Sequence, residues 1–105
     1  MAPAGRKLGL MLSTAPDHPN LETALGLSRA ALDAGDDVFL YLIDDAVAAV
    51  DDGRLLALAD RGLKLFVCAY GCQKRRRPLS DRATNCGLVV LTDVINGTDR
   101  FLSLN

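Results

Sequence analysis

The chain has no tryptophan, a single histidine and few aromatics of any kind; phenylalanine and tyrosine together make up 5% of it. One histidine, His18, without a marked serine elbow identifies no Ser/His/Asp set. The shortage of aromatics removes the stacking platforms on which single-stranded nucleic acid is held. A formal net charge of −1 removes the strongly basic surface that bulk nucleic-acid binding uses. No direct nucleic-acid partner is expected. Phosphate-cradling motifs of the GxGxxG or GxxxxGK[ST] type are absent. No apolar run approaches the roughly 18 residues of a membrane span. Met1–Lys7 is followed only by the short run Leu8–Leu12, with no small-residue cleavage site after a long apolar segment. The expectation is a soluble, cytoplasmic protein with no membrane partner.

Cysteine is scarce and odd in number: Cys68, Cys72 and Cys86. In a cytosolic chain these are reduced thiols rather than a disulfide framework. A structural zinc site needs four ligands, usually in tight pairs. Cys68 and Cys72 stand in a C-x3-C spacing and His18 is far away in sequence, so neither a metal nor an organic cofactor is expected.

What is present is apolar bulk. Of 105 residues, 50% are hydrophobic. The length is that of one domain, residues 1–105. So short a chain hides only about 60–70% of its unfolded surface, and self-association gives the remaining apolar surface a place to go.

The apolar residues are grouped. Met1–Arg6 is a loose terminus. Lys7–Leu12 (KLGLML) is apolar at nearly every position, the pattern of a strand covered on both faces. Ser13–Asn20 is a loop of turn formers ending in helix-start signals, with Asp17 or His18 as N-cap and Pro19 at the first helical position. Leu21, Ala24, Leu25, Ser28, Ala31 and Leu32 then form one stripe. The spacing predicts a helix over Pro19–Ala34, stopped at Gly35. Val38–Ile43 (VFLYLI) is a second buried strand, followed by a short helix Asp45–Val50 capped by Asp44. A turn at Asp51–Gly53 leads to a helix Arg54–Arg61 ended by Gly62, and to a third strand, Leu65–Ala69. Leu79–Asn85 is polar, a mobile loop or weak helical turn. Gly87–Val90 is expected as a short strand, Leu91–Gly97 as a helix and Phe101–Leu104 as a final strand.

Strands alternating with helices imply βαβ units: a three-layer α/β/α domain on a mostly parallel sheet, in a flavodoxin-like arrangement. Sites in such sheets form at the carboxyl ends of strands. Ser13–Asn20, Asp44-Asp45 and Cys68 with its tail fall there. Leu63–Arg77 (LKLFVCAYGCQKRRR) is the one stretch that joins a nucleophile to a charge cluster.

A thiolate, not a thiol, is the nucleophile, so a reactive Cys68 needs a thiol pKa below the free value of about 8.5. Lys74–Arg77 supplies positive charge, and a helix starting after Ala69 would add more. Against this stands Cys68 as a small buried hydrophobe. Cys72, four residues on, shares a helical face with Cys68 and could resolve it or pass sulfur along; the other reading is an unpaired loop thiol. Cys86 is expected in or near the core. Lys74–Arg77 itself is a solvated face, an anion or partner-docking patch, or the element that tunes Cys68.

Three segments carry a resemblance that runs over most of the chain. Val38–Val47 (VFLYLIDDAV) is similar to a second strand entering an acidic turn. Gly62–Cys68 (GLKLFVC) is similar to a strand ending in a reactive cysteine. Asp99-Arg100-Phe101-Leu102 is similar to a closing strand. Together with Lys7–Ala34 they resemble the DsrE/DsrF/TusD-like sulfur-relay family. The resemblance implies a DsrE-like α/β domain assembling as trimers or hexamers. Its reactive cysteine, matched by Cys68, would carry sulfane sulfur as a persulfide, with other sulfur-carrier proteins as partners. The expanded basic run and Cys72 depart from the family pattern. The leading expectation is therefore a persulfide carrier or sulfurtransferase, with Cys68 and Cys72 as the catalytic candidates. A non-catalytic assembly or docking module of the same fold is the alternative, and a thiol redox protein using Cys68 and Cys72 a third.

Overall fold

The computed structural model describes residues 6–78 and 81–105. Five strands form one sheet: β1 (Lys7–Leu12), β2 (Asp37–Leu42), β3 (Lys64–Cys68), β4 (Thr84–Cys86) and β5 (Arg100–Leu104). Their spatial order is β4-β3-β2-β1-β5, and each adjacent pair is parallel. Parallel neighbours need crossover connections. These are α1 (Asn20–Asp33), a 3-10 helix (Asp44–Asp51) with α2 (Gly53–Asp60), α3 (Ala69–Lys74), and α4 (Leu88–Gly97). The expected α/β fold on a parallel sheet is the one the chain adopts.

Register sorts the strand residues into two faces. Leu10, Leu40 and Leu65 form one row across β1, β2 and β3, and Leu12, Leu42 and Val67 the next. All six are buried and pack in one cluster with Leu21 and Leu25 of α1, Val47 of the 3-10 helix, and Leu55 and Leu58 of α2. Fully burying such a side chain contributes about 1.5–3 kcal/mol. The surface ion pairs, among them Arg61–Asp33 at 2.6 Å and Arg82–Asp60 at 2.9 Å, contribute at most about 1 kcal/mol each. The rows, not the ion pairs, hold this layer together.

The opposite face carries Gly9, Met11, Phe39, Tyr41, Phe66 and Cys68, and α4 crosses it. At Gly9 the approach is too close for any side chain: a Cβ there would lie 2.8 Å from the Phe101 ring and 3.0 Å from Thr98 Oγ1. Phe39 and Phe66 stack at 6.4 Å and, with Val90 and Val94, border a cavity of about 200 Å³. Leu88, Val89 and Ile95 of α4 remain 58%, 76% and 44% exposed.

Several expected boundaries move. The first helix begins at Asn20 with Pro19 as N-cap, and the His18 ring accepts the Asn20 N–H at 3.1 Å. Asp44 is not a cap but the first residue of the 3-10 helix, with φ +54° and Ile43 before it as N-cap. The expected strand Gly87–Val90 is instead the start of α4, and β4 lies just before it at Thr84–Cys86. The reason is reach. The chain must pass from β4 at one edge to β5 at the other, four interstrand steps or roughly 19 Å. A helix confined to Leu91–Gly97 would span only about 10 Å. Recruiting Leu88-Val89-Val90 lengthens it to about 15 Å. Of the expected polar loop Leu79–Asn85, Leu79 and Ser80 lie outside the described residues, as do Met1–Gly5 of the terminus. Among the described residues no helix is long and apolar enough to cross a membrane.

Ser28 on α1 is fully buried and its hydroxyl has no hydrogen-bond partner. Ser28→Ala removes that unsatisfied group and improves helix propensity, so it should stabilise the fold by about 1 kcal/mol. Urea unfolding should show a higher midpoint at unchanged slope; a lower midpoint would mean the hydroxyl has a partner on its burial side.

Candidate functional site

β3 ends where it becomes α3. Cys68 is the last strand residue and the N-cap of the helix, and its Sγ accepts a hydrogen bond from the Gly71 N–H at 3.4 Å. A glycine is needed at 71 because α3 packs closely on the 3-10 helix. A Cβ there would approach Val47 Cγ1 to 3.1 Å. The strand end thus delivers one thiol to the carboxyl edge of the sheet, with a backbone donor already aimed at its sulfur.

Cys68 is only 4% exposed, but it lines a cavity of about 240 Å³ with Ile43, Asp44, Tyr70, Lys74, Gly87 and Leu88 among its walls. Its walls come from the chain after β2, from α3 and from the start of α4. Tyr70 of α3 stands 69% exposed. Asp44 enters the wall because its left-handed backbone turns the chain sharply at the end of β2.

The basic run divides by job. Arg75 pairs with Asp45 at 3.2 Å, and its guanidinium also reaches the Gly71 carbonyl at 3.5 Å. Arg77 donates to the Ala48 carbonyl at 3.3 Å. These two contacts clamp α3 onto the 3-10 helix. Arg76, with φ +55°, turns the chain out of α3. Lys74 and Arg75 line the cavity, Arg75 while it also holds Asp45. The sequence leaves the run as a solvated face, an anion or partner-docking patch, or the element that tunes Cys68; in the structure Arg75 and Arg77 clamp α3.

Cys72 sits one helical turn beyond Cys68, as the spacing implied, but it belongs to the core. It is 1% exposed and packed in the main cluster. Burial, aided by the neighbouring Cys68, pushes its thiol up against the opposing effect of Arg77 and Arg75. It is not among the residues that line the cavity.

Two groups missed in the sequence stand beside Cys68. Cys86, at the end of β4, is its register partner on the adjacent strand. Burial pushes the Cys86 thiol up, partly offset by a hydrogen bond with Tyr41. The buried Tyr41 hydroxyl donates to the Gly87 carbonyl at 2.9 Å. Burial first, then the nearby Cys86 and Cys68 thiols, raise its pKa far above the ordinary phenol value. A period-two reading of VFLYLI places Tyr41 on the same face as the thiol of β3, but the register that brings Cys86 there depends on a strand, Thr-Asn-Cys, with no strand signal of its own. Of the other elements at this edge, Asp44 joins the cavity and Asp45 the clamp. The loop after β1 does not reach the cavity; Ser13 bonds instead to the Leu104 carbonyl and Asn105 of β5's end. His18 is an exposed loop residue engaged with its own helix start. Among the described residues no group of three or more His, Cys, Asp or Glu side chains could hold a metal ion.

Compared by sequence, the chain matches no family model and no curated protein. Solved structures do match. The YchN protein from E. coli superposes with a TM-score of 0.80 at 22% identity, over 94% of this chain and 99% of that one. A conserved protein of unknown function from Bacteroides thetaiotaomicron superposes at 0.76 and 14% identity, over 93% of this chain and 94% of that one. At such identities the likeness is one of fold.

Cys72 and Cys86 both hold their protons more tightly folded than unfolded. That stabilisation is complete below the unfolded thiol pKa, about 8.5, and is lost as pH rises through the folded values. Stability measured by urea unfolding should therefore decline above about pH 8.5, and Cys72→Ala should flatten the decline. An alkaline limb unchanged in that variant would contradict the assignment of Cys72 as a buried, protonated thiol.

Proposed function

We propose that this chain is a cytoplasmic carrier of sulfane sulfur, with Cys68 as the thiol that accepts and donates it. The observation that carries the reading is the position of Cys68 Sγ: at the carboxyl end of a central strand, hydrogen-bonded by Gly71 N–H and lining a cavity that also holds Lys74. The resemblance of Gly62–Cys68 to the cysteine-bearing strand of DsrE-like sulfur-relay proteins points the same way, and the fold is compatible with it.

The chemistry is thiolate exchange. Cys68 thiolate attacks the outer sulfur of a donor persulfide; the new bond joins Cys68 Sγ to that sulfur, the donor S–S bond breaks, and its electron pair leaves on the donor thiolate. In the second half an acceptor thiolate attacks the same outer sulfur and Cys68 leaves as thiolate. Neither half needs an oxidant, a metal or an organic cofactor. The Gly71 N–H and the Lys74 ammonium are donors suited to an anionic sulfur. Partners are other sulfur-carrier proteins that present a cysteine, and the carrier acts as a homo-oligomer, a trimer or hexamer by the same resemblance. Cys72 takes no direct part.

One observation favours a second reading, an assembly or docking module without chemistry. The apolar face Leu88, Val89 and Ile95 of α4 is exposed, as an interface requires.

Sulfur uptake separates the two. In a Cys86→Ser background, which removes the register-partner thiol of Cys68, intact-mass measurement after brief exposure to cysteine persulfide should show one added sulfur atom. Replacing Cys68 by Ser as well should reduce the gain to background, about a hundredfold for loss of the attacking thiol. Equal gain in both proteins, or none in either with a stable complex that survives Cys68→Ser, would favour the module.

A further inference from the structure

Cys86 is unused by the transfer just described, yet it is placed as closely to Cys68 as the fold allows. The two are register partners on adjacent parallel strands, so both side chains stand on one face of the sheet. Neighbouring strands lie about 4.8 Å apart, inside the Cα–Cα window of about 4.4–6.8 Å that a disulfide accepts. β4 is a three-residue edge strand paired on one side only, so it can adjust to a new bond at little cost. Tyr41, on the same face of the next strand, donates its hydroxyl to the Gly87 carbonyl at 2.9 Å, and the Cys86 thiol donates to the Val67 carbonyl at 3.8 Å. Cys72 is packed in the same buried cluster as Cys68 but has no such pairing with it across adjacent strands.

We propose that Cys86 is the resolving thiol of this site: it attacks persulfidated Cys68 and discharges the sulfur as hydrosulfide, leaving a Cys68–Cys86 disulfide. This gives the chain a second outlet, sulfide release, and rests on the carrier reading of Cys68. In the step, a bond forms between Cys86 Sγ and Cys68 Sγ, and the bond between Cys68 Sγ and the sulfane sulfur breaks. The electron pair of the broken bond leaves with the sulfane sulfur, and the proton of Cys86 passes to it, giving HS⁻. The two cysteine sulfurs are oxidised and the sulfane sulfur is reduced, so no outside oxidant or reductant enters. A partner thiol reaching the mouth of the cavity first takes the sulfur instead; with no partner docked, Cys86 is the neighbouring thiol left to react. The site therefore sorts sulfur between transfer and release according to whether an acceptor is present.

The test loads the full chain with cysteine persulfide without an acceptor and follows sulfide, intact mass and non-reducing peptide maps. Wild type should release about one equivalent of sulfide and yield a cross-linked Cys68–Cys86 peptide, while Cys86→Ser and Cys86→Ala keep the added sulfur and release at least about tenfold less. Cys72→Ala should behave as wild type. A wild type that holds the added sulfur as stably as Cys86→Ser, or that forms a Cys68–Cys72 cross-link, overturns the role of Cys86 and leaves the carrier reading standing. Failure of both folded Cys86 variants to take up sulfur overturns the carrier reading and this inference with it.

Discussion

A parallel sheet must be covered on both faces, and the described residues of this chain cover the two unequally. α1, the 3-10 helix and α2 close over the leucine and valine rows of β1, β2 and β3. The other face receives one ten-residue helix, α4, stretched across it between the edge strands β4 and β5. The well-covered face supplies the stability. The thinly covered face keeps Phe39, Phe66 and the exposed side of α4 near the surface, and it is there that the thiols of Cys68 and Cys86 meet the Tyr41 hydroxyl. The opening at the sheet edge exists because α4 begins at Leu88, immediately after the Gly87 carbonyl that Tyr41 holds.

The charge beside the site follows from the same economy. α3 is too short, at six residues, to be held by packing alone. Two of its following arginines are spent on docking it, Arg75 on Asp45 and Arg77 on the Ala48 carbonyl. Because Cys68 caps α3, that clamp also holds the helix whose Gly71 N–H donates to the sulfur. The cavity itself is lined by Lys74 and by Arg75, the latter already paired with Asp45. Positive charge therefore acts on the thiol mostly at one remove, by holding the helix that positions it.

The parallel α/β fold was legible because the strand signals are strong. KLGLML, VFLYLI and KLFVC are apolar on both faces, and only doubly covered strands read that way. Cys68 at a strand end followed from the same pattern. The β4–α4 segment was not legible. Leu88-Val89-Val90 suits a strand as well as a helix, and the choice was made by the distance α4 must cross, a tertiary constraint. Thr84–Cys86 is too short and polar to read as a strand, and it pairs along the edge of β3. Losing that strand hid the register that puts Cys86 beside Cys68, and so attention fell on Cys72, whose i, i+4 spacing is visible in sequence but whose side chain turns into the core. The clamp role of the arginines was hidden likewise, since their partners Asp45 and Ala48 lie about thirty positions away.

The central claim is that sulfur chemistry belongs to the cavity thiol Cys68 and not to its helical neighbour Cys72. The most direct measurement is fragment-ion mapping of the peptide that contains both, taken from Cys86→Ser protein quenched soon after persulfide treatment. The account predicts the added sulfur on Cys68 with Cys72 unmodified. Sulfur found on Cys72, with Cys68 unmodified, would contradict it.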